Sequence, residues 1–194
     1  MGFRGLTINT SEEDEAHVFA ENDAAIYQAI FGAGDLLLNY GDNFDVDIIS
    51  YNTVRVNSGL VAVQGHMGII ETNDDQEIVL ENGTSGVTRN DLIVAEFTTT
   101  GNHGLDTFTL KALRGGADGS LPQLTVQDLT NGGTTRQFAI AKVTMTGLSI
   151  TDATVIPKVA GSLSELLYAI NDRISYGTGE PSGGKDGDIY IMYT

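Results

Sequence analysis

Cysteine and tryptophan are absent from this chain of 194 residues, and proline occurs only three times. Without cysteine the protein has no disulfide, no thiolate metal site and no cysteine nucleophile. No basic segment followed by an apolar run opens the sequence, and no apolar run approaches the roughly 18 residues needed to cross a bilayer. We therefore expect no secretory signal and no membrane insertion.

Basic residues are also scarce, because ten lysines and arginines stand against 26 acids and give a net charge of −16. The imbalance lies mostly in residues 1–100, where three arginines stand against seventeen acids, a balance of −14. Such a field repels phosphate backbones and anionic membrane surfaces. We expect no nucleic-acid binding, and either an exposed acidic surface or one docked on a basic partner.

The side chains that usually carry catalysis form no recognisable pattern. His17, His66 and His103 are scattered, with no second histidine at ligand spacing, and we place His66 on a strand and His103 in a turn. No G-x-S-x-G elbow occurs, and the glycines around Lys185 lack the spacing of a phosphate-binding loop. The sequence predicts no catalytic residue, no metal site and no cofactor, so we expect a protein that is not an enzyme.

Clustered acids are the remaining chemical candidates. Oxygen ligands at short spacing suit calcium, but these clusters lack the glycine and terminal glutamate of an EF-hand loop. Strand alternation places Asp45 and Asp47 on a solvated face, and we favour the same interpretation for the other clusters. The clusters are Asp42, Asp45 and Asp47; Asp74, Asp75 and Glu77; and Glu12 to Glu15.

Short apolar runs separated by turn residues fill the sequence from Asp35 to Pro157. Residues alternate between apolar and polar in Asp45–Ile48 and Thr107–Lys111, as in half-buried strands. This series predicts a mainly β fold, an antiparallel β sandwich or barrel, with Gly115–Gly133 as a long surface connection. The predicted strands are Leu36–Leu38, Phe44–Ser50, Thr53–Asn57, Gly59–Gln64, His66–Thr72, Gln76–Leu80, Asp91–Thr99, Thr107–Leu113, Gln137–Thr146 and Thr154–Lys158.

One short helix is predicted before the strands, over Asn22–Phe31. Asn22 or Asp23 would cap its start, and Gly32 would end it. Its large apolar side chains share one side, and a helix this short needs packing to persist. They are Ile26, Tyr27, Ile30 and Phe31.

A second helix is predicted over Ser162–Ser175. Ser162 followed by Glu165 forms a capping-box pattern. Leucine and isoleucine then recur at spacings of four, three and four residues, which is a d-a-d-a heptad phase. The stripe consists of Leu163, Leu167, Ile170 and Ile174, and Leu166 widens it. Two interpretations stay open: the helix lies on the β domain, or it bundles with copies of itself.

The sequence ends with a glycine-rich stretch, Tyr176–Gly187, and a strand-like segment, Ile189–Thr194. Both faces of this segment are apolar, with Tyr190 and Met192 opposite the other three large side chains, so a partner strand and cover on both sides are expected. We divide the chain into a β domain, residues 1–160, and an oligomerising end, residues 161–194. The predicted oligomer interface consists of Leu163, Leu166, Leu167, Ile170, Ile174, Ile189, Tyr190, Ile191 and Tyr193.

Three stretches together resemble baseplate and tail-fibre-associated structural proteins of phages that infect Gram-positive bacteria, and of related phage-tail-like particles. They are Asp23–Gly32, the run Glu81–Gly86 followed by Arg89–Ala95, and Gly184–Ile191. None of the three is a catalytic signature.

The resemblance implies a structural protein of the virion tail, usually a homotrimer, assembled in the cytoplasm of the bacterial host. Its partners would be copies of itself and other tail or baseplate proteins. Residues 1–160 would dock on the baseplate, and residues 161–194 would serve for oligomerisation or for attachment of the fibre. Such proteins often continue into a long shaft or a carbohydrate-binding head, and because this sequence stops at Thr194 we expect a short adaptor between tail tip and fibre. Two alternatives stay open: a carbohydrate-binding module that contacts the host surface, and a cell-wall-cleaving tail enzyme with a carboxylate pair.

Overall fold

The computed structural model describes residues 2–5, 19–101 and 104–193. His17, His103 and the acidic run Glu12 to Glu15 lie outside the described residues. The chain divides into two compact units, Met1–Ala160 and Gly161–Thr194. The roles that the sequence suggests for these two parts remain predictions.

The first unit is built mainly from strands, and the predicted fold class, mainly β with few helices, is confirmed. Its helical segments are α1 (Ala20–Phe31) and a short 3-10 turn at Leu129–Asn131. Its strands are β1 (Arg4–Gly5), β2 (Leu36–Leu38), β3 (Val46–Ile48), β4 (Thr53–Val56), β5 (Gly59–Val63), β6 (His66–Ile70), β7 (Gln76–Val79), β8 (Thr88–Thr99), β9 (Asp106–Leu113), β10 (Thr135–Thr146), β11 (Ser149–Val155) and β12 (Val159–Ala160).

These strands form three sheets in the described part of the unit. One has the order β1-β6-β5-β2-β12, the second β11-β10-β8-β9 and the third β3-β4-β7. All neighbours are antiparallel except β12, which runs parallel to β2. The long central strands β8 and β10 pair over their whole length, with a register shift between Ala139 and Ala141.

One large apolar core joins the sheets, and a smaller cluster of Leu38, Ala62 and Met67 lies apart from it. The buried side chains of the large core come from β2, from all strands from β4 to β11, and from Phe44 just before β3, and the largest include Phe44, Phe97, Ile93 and Ile140. Burial of this many aliphatic and aromatic side chains is the main source of folding free energy. The first unit therefore has the core of an independently folding domain.

A buried ion pair fixes the loop that precedes β8. Arg89 donates from Nε to Asp91 at 2.8 Å, and both side chains are almost fully buried. The same guanidinium donates to the carbonyl oxygens of Glu81 at 2.6 Å and Asn82 at 3.3 Å, and Asp91 accepts from the backbone of Gly115. The pair thus satisfies backbone groups of two loops, which is the condition under which a buried charge pair is tolerated.

Gln64 connects α1 and the 115–133 connection to the turn between β5 and β6. Its backbone oxygen accepts from Gln28 of α1 at 2.7 Å, and its side chain bonds Asp128 and the backbone of Leu129. Its backbone N–H donates to Asp35. The connection predicted at the surface is therefore held at its far end by a half-buried network.

The predicted first helix ends where expected but starts earlier. Gly32 follows its last residue with a φ of 91°, whereas the helix begins at Ala20 and has Phe19 at its N-cap position, without a side-chain cap. The predicted caps, Asn22 and Asp23, are wrong, because both lie inside the helix.

The packing face of α1 also differs from the prediction. Of the predicted apolar side, Tyr27 is half-buried and packs against the smaller cluster, whereas Ile26 and Ile30 are exposed, and the buried residues are Ala20 and Ala24. The reason is close contact: the carbonyl of Ala24 lies where a Cβ on Gly65 would stand, so only small residues allow the helix this near the turn.

Nine of the ten strands predicted between Asp35 and Pro157 are present, and the tenth overlaps its predicted range only at one end. Residues 154–158 were predicted as a strand, whereas β11 ends at Val155 and begins at Ser149, in a segment where no strand was predicted. Thr146 and Ser149 form a tight turn with Gly147 at a φ of 61°, and this turn brings β11 back along β10. The glycine at this turn is the signal that the strand prediction missed.

The second unit contains α2 (Leu163–Arg173), β13 (Ile174–Gly177) and β14 (Ile189–Met192). Among the described residues, no helix of either unit has the length and apolarity needed to span a membrane.

Candidate functional site

The helix α2 begins at a complete capping box, as predicted. The Oγ of Ser162 accepts from the backbone N–H of Glu165 at 3.1 Å, and Glu165 Oε2 accepts from the backbone N–H of Ser162 at 2.6 Å. The backbone N–H of Ser162, and after it the Ser162 hydroxyl, hold the pKa of Glu165 below its ordinary value, because hydrogen bonds to the carboxylate favour its ionised form. The local sequence is thus sufficient to start the helix at this residue.

The apolar stripe of α2 is open to solvent along its whole length in the single chain. Leu163, Leu166, Leu167 and Ile170 expose between 45% and 66% of their surface. A helix that packed its stripe within its own unit would bury these side chains. Within the described part of the second unit, the helix has no buried residue.

The helix stops earlier than predicted, because Ile174 and Ser175 belong to strand β13. Ile174 serves as the C-cap, and its N–H still donates to the carbonyl oxygen of Ile170. The chain therefore passes from helix to strand without a loop. Ile174, which was expected to continue the helical stripe, is instead the first residue of β13.

The terminal strand has a partner within its own chain. β14 runs parallel to β13, with Ile174 opposite Ile189 and Tyr176 opposite Ile191. The connection between the two strands turns at Gly183 and Gly187, which have φ values of 75° and 89°, as predicted for a turn before the last strand. Lys185 lies in this turn, its backbone N–H bonded to the carboxylate of Asp188.

A two-stranded parallel sheet with both faces exposed to solvent is uncommon. Parallel strands are normally buried on both faces, and two strands alone are marginally stable in water. Here Ile189, Ile191, Met192 and Tyr193 all remain exposed. Among the described residues of the second unit none is buried, and only Gly177 and Tyr190 are half-buried.

All nine residues predicted for the oligomer interface thus lie within one small unit, and eight of them are exposed. Tyr190 differs, because its hydroxyl donates to the carbonyl oxygen of Gly179 at 2.7 Å. On the two strands, the predicted interface lacks two exposed large side chains, Tyr176 and Met192. Tyr176 follows Ile174 at a spacing of two, and the helix predicted to Ser175 concealed this strand pattern.

The acid clusters within the described residues are engaged by neighbouring donors. Asp42 accepts from Ser58 at 2.6 Å, Asp47 accepts from Asn57 at 2.9 Å, and Arg55 bridges Asp75 and Glu77. Asp45 and Asp47 are both exposed, as predicted, but Asp45 lies just before β3, and Ile48 is exposed as well, so the strand does not alternate as predicted. No group of three or more histidine and acidic side chains in the described part of the chain could hold a metal ion.

A cleft of about 360 Å³ lies in the first unit, at one end of β6, β8 and β9. Its lining includes Glu21, Asp106 and three threonines, with His66 and Phe97 on its floor. The two rings stack with centroids 3.8 Å apart, and both are buried. His66 lies on a strand, as predicted, and its ring is packed as part of the core wall.

Comparison with known proteins gives no family for this chain, because no protein-family model matches it and no curated protein matches it.

Proposed function

We propose that this protein is a structural component of a phage tail, or of a phage-tail-like particle, that joins the tail tip to a fibre or receptor-binding element. It would act as a homotrimer in the virion tail, after assembly in the cytoplasm of the bacterial host. The observation that carries the proposal is the uncovered apolar stripe of α2 together with the uncovered strand pair β13–β14.

Self-association explains this exposure. Copies related by rotational symmetry bury the same stripe against itself, and so remove apolar surface from water without a second protein. Leu167 and Ile170 occupy a and d positions of the heptad phase. The two d positions are mixed, Leu163 and Ile170; leucine at a with isoleucine at d is the combination that favours bundles of three or four helices over two.

The first unit would dock on the baseplate. Residues 1–160 carry eight basic and twenty-one acidic residues, so a basic partner surface would attract them. The exposed side of α1 adds apolar contact area through Ile26, Ile30 and Phe31. Assembly interfaces usually combine an apolar centre with a charged and polar rim.

Labelling of intact particles tests this function. Antibodies raised against residues 1–160 should bind one end of the tails in negatively stained particles from the source bacterium. Labelling along the whole tail, or of no tail structure in lysates that contain the protein, would contradict the proposed position.

A second candidate is a glycan-binding module, and the cleft beside His66 is the feature that favours it. Threonine hydroxyls and two carboxylates offer hydrogen-bond partners for sugar hydroxyls. Binding of the full chain to a panel of bacterial surface glycans, abolished by Asp106→Asn, would favour this candidate. Release of sugar from cell-wall substrate would instead point to a tail enzyme.

A further inference from the structure

The two faces of the strand pair β13–β14 are not equivalent. Side chains that are paired in a ladder lie on the same face, and successive residues of a strand alternate between faces. We call one side the isoleucine face, which consists of Ile174, Tyr176, Ile189 and Ile191. We call the other the glycine face, which consists of Ser175, Gly177, Tyr190 and Met192.

The glycine face is partly covered by its own chain. A Cβ placed on Gly177 would lie 2.6 Å from the hydroxyl oxygen of Tyr190, so the tyrosine crosses the strand where there is no side chain. The same hydroxyl donates to the carbonyl oxygen of Gly179. Tyr190 therefore holds the start of the glycine-rich connection against this face.

The isoleucine face has no such cover and continues the stripe of α2. Ile174 ends the helix and starts the strand, so the stripe leads directly into this face. Tyr176 is 74% exposed, and Ile189 and Ile191 are more than half exposed. No charged residue occupies the face. An uncharged face of isoleucine and tyrosine, continuous with a heptad stripe, suits a second copy of itself.

We propose that the subunit interface is one-sided: copies of this chain pack with their isoleucine faces and α2 stripes toward a common axis, and with their glycine faces outward. The inference rests on the proposed self-assembly and adds which surface is buried. Tyr176 joins the interface. Tyr190 is a positioning residue, which fixes the connection on the outside, and Met192 faces away from the axis.

The absence of cysteine permits a direct test in the full chain. Ile191 and Met192 are neighbours on one strand with similar exposure, 54% and 61%, but they lie on opposite faces. A disulfide requires Cβ atoms about 3.5–4.5 Å apart, a condition met near a symmetry axis and not on the outside. Ile191→Cys and Met192→Cys therefore form a matched pair, with Tyr176→Cys and Ser175→Cys as a second pair.

Each variant would be oxidised mildly at micromolar concentration and analysed on non-reducing gels, with native mass spectrometry of the reduced sample. We expect Ile191→Cys and Tyr176→Cys to form linked dimers at least tenfold faster than their neighbours, at a rate independent of dilution. Equal or faster linkage of Met192→Cys in an intact oligomer would overturn the one-sided interface and leave self-assembly standing. An intact oligomer in which neither Ile191→Cys nor Tyr176→Cys forms a disulfide would also overturn the one-sided interface. A monomeric reduced chain would contradict both proposals.

Discussion

The two units of this protein treat apolar side chains in opposite ways. In the first, large aliphatic and aromatic residues from nine strands are buried in a common core. In the second, a helix and two strands expose nearly every large apolar residue that they carry. Both units have regular secondary structure. They differ in whether other elements of the chain bury their apolar side chains.

This contrast separates two sources of stability. The first unit removes apolar surface from water within one chain and satisfies its buried charges internally. The second has a well-formed start, at its capping box, and no interior. A short helix and a two-stranded sheet do not persist alone in water, so the second unit depends on contacts outside itself.

The largest effect is expected from charges placed on the stripe of α2. The double change Leu167→Asp and Ile170→Asp would put two charges per chain into the bundled interface, where unpaired charges are strongly unfavourable. The mass in solution, measured by light scattering, should fall from three chains to one. The first unit should still unfold at its original temperature.

A control with the same added charge uses the outer side of the helix. Tyr168 is 74% exposed and Ala169 is also exposed, and both lie off the stripe. Tyr168→Asp with Ala169→Asp should leave the oligomer intact. If both double variants dissociate equally, added charge alone explains the result and the stripe has no special role.

A large effect confined to the first unit is expected from Arg89→Met. It leaves Asp91 buried without its cation, and breaking a buried pair costs about 3–5 kcal/mol. Urea unfolding followed by circular dichroism should show this loss. Arg114→Met is the matched control, because Arg114 pairs with Glu81 at an exposed site and should change stability by less than about 1 kcal/mol. Comparable losses in both variants would contradict the role given to burial.

A moderate effect on the second unit is expected from Ser162→Ala. Loss of an N-cap costs about 1 kcal/mol per helix, and an oligomer of three chains loses three caps. Dissociation on dilution should begin at higher protein concentration, whereas unfolding of the first unit should not change. Ser162→Asp, which preserves a capping oxygen, should restore the parent behaviour. A Ser162→Ala chain that dissociates like the parent would show that assembly does not depend on this cap.

The smallest effect is a dependence on acidity. Because the hydrogen bonds from the Ser162 backbone and hydroxyl to the Glu165 carboxylate lower its pKa in the folded helix, its contribution is present above the unfolded pKa of about 4.3 and is lost as the pH falls through the lower folded value. Helix content and oligomer fraction should fall in this window, and Glu165→Gln should flatten the change. The control is Glu180→Gln, at an exposed position in the connection between β13 and β14, which should leave the pH dependence unchanged. If both variants flatten the pH dependence equally, Glu165 is not the group responsible for it.

Much of the fold could be predicted from local patterns. The strand series up to β10, the end of the first helix at Gly32 and the capping box at Ser162 each follow from a few neighbouring residues, and each is confirmed. Features set by distant contacts could not be predicted. The start of α1 and its buried face depend on Gly65, and β11 depends on pairing with β10.

The candidate interface shows the same limit. The heptad spacing was visible in the sequence, but the change from helix to strand at Ile174 was not, since leucine and isoleucine fit both structures. The pairing of β14 with β13 could not be predicted from a local pattern either, because eleven residues separate the two strands. Only the pairing shows that Tyr176 shares a face with Ile191.

The central claim is that residues 161–194 associate with copies of themselves, and native mass spectrometry of two chains tests it most directly. The full chain should have three times the 20.6 kDa mass of one copy, and a chain ending at Ala160 should be a folded monomer. A full chain that is monomeric at micromolar concentration, or a shortened chain that keeps the same oligomer, would contradict the account.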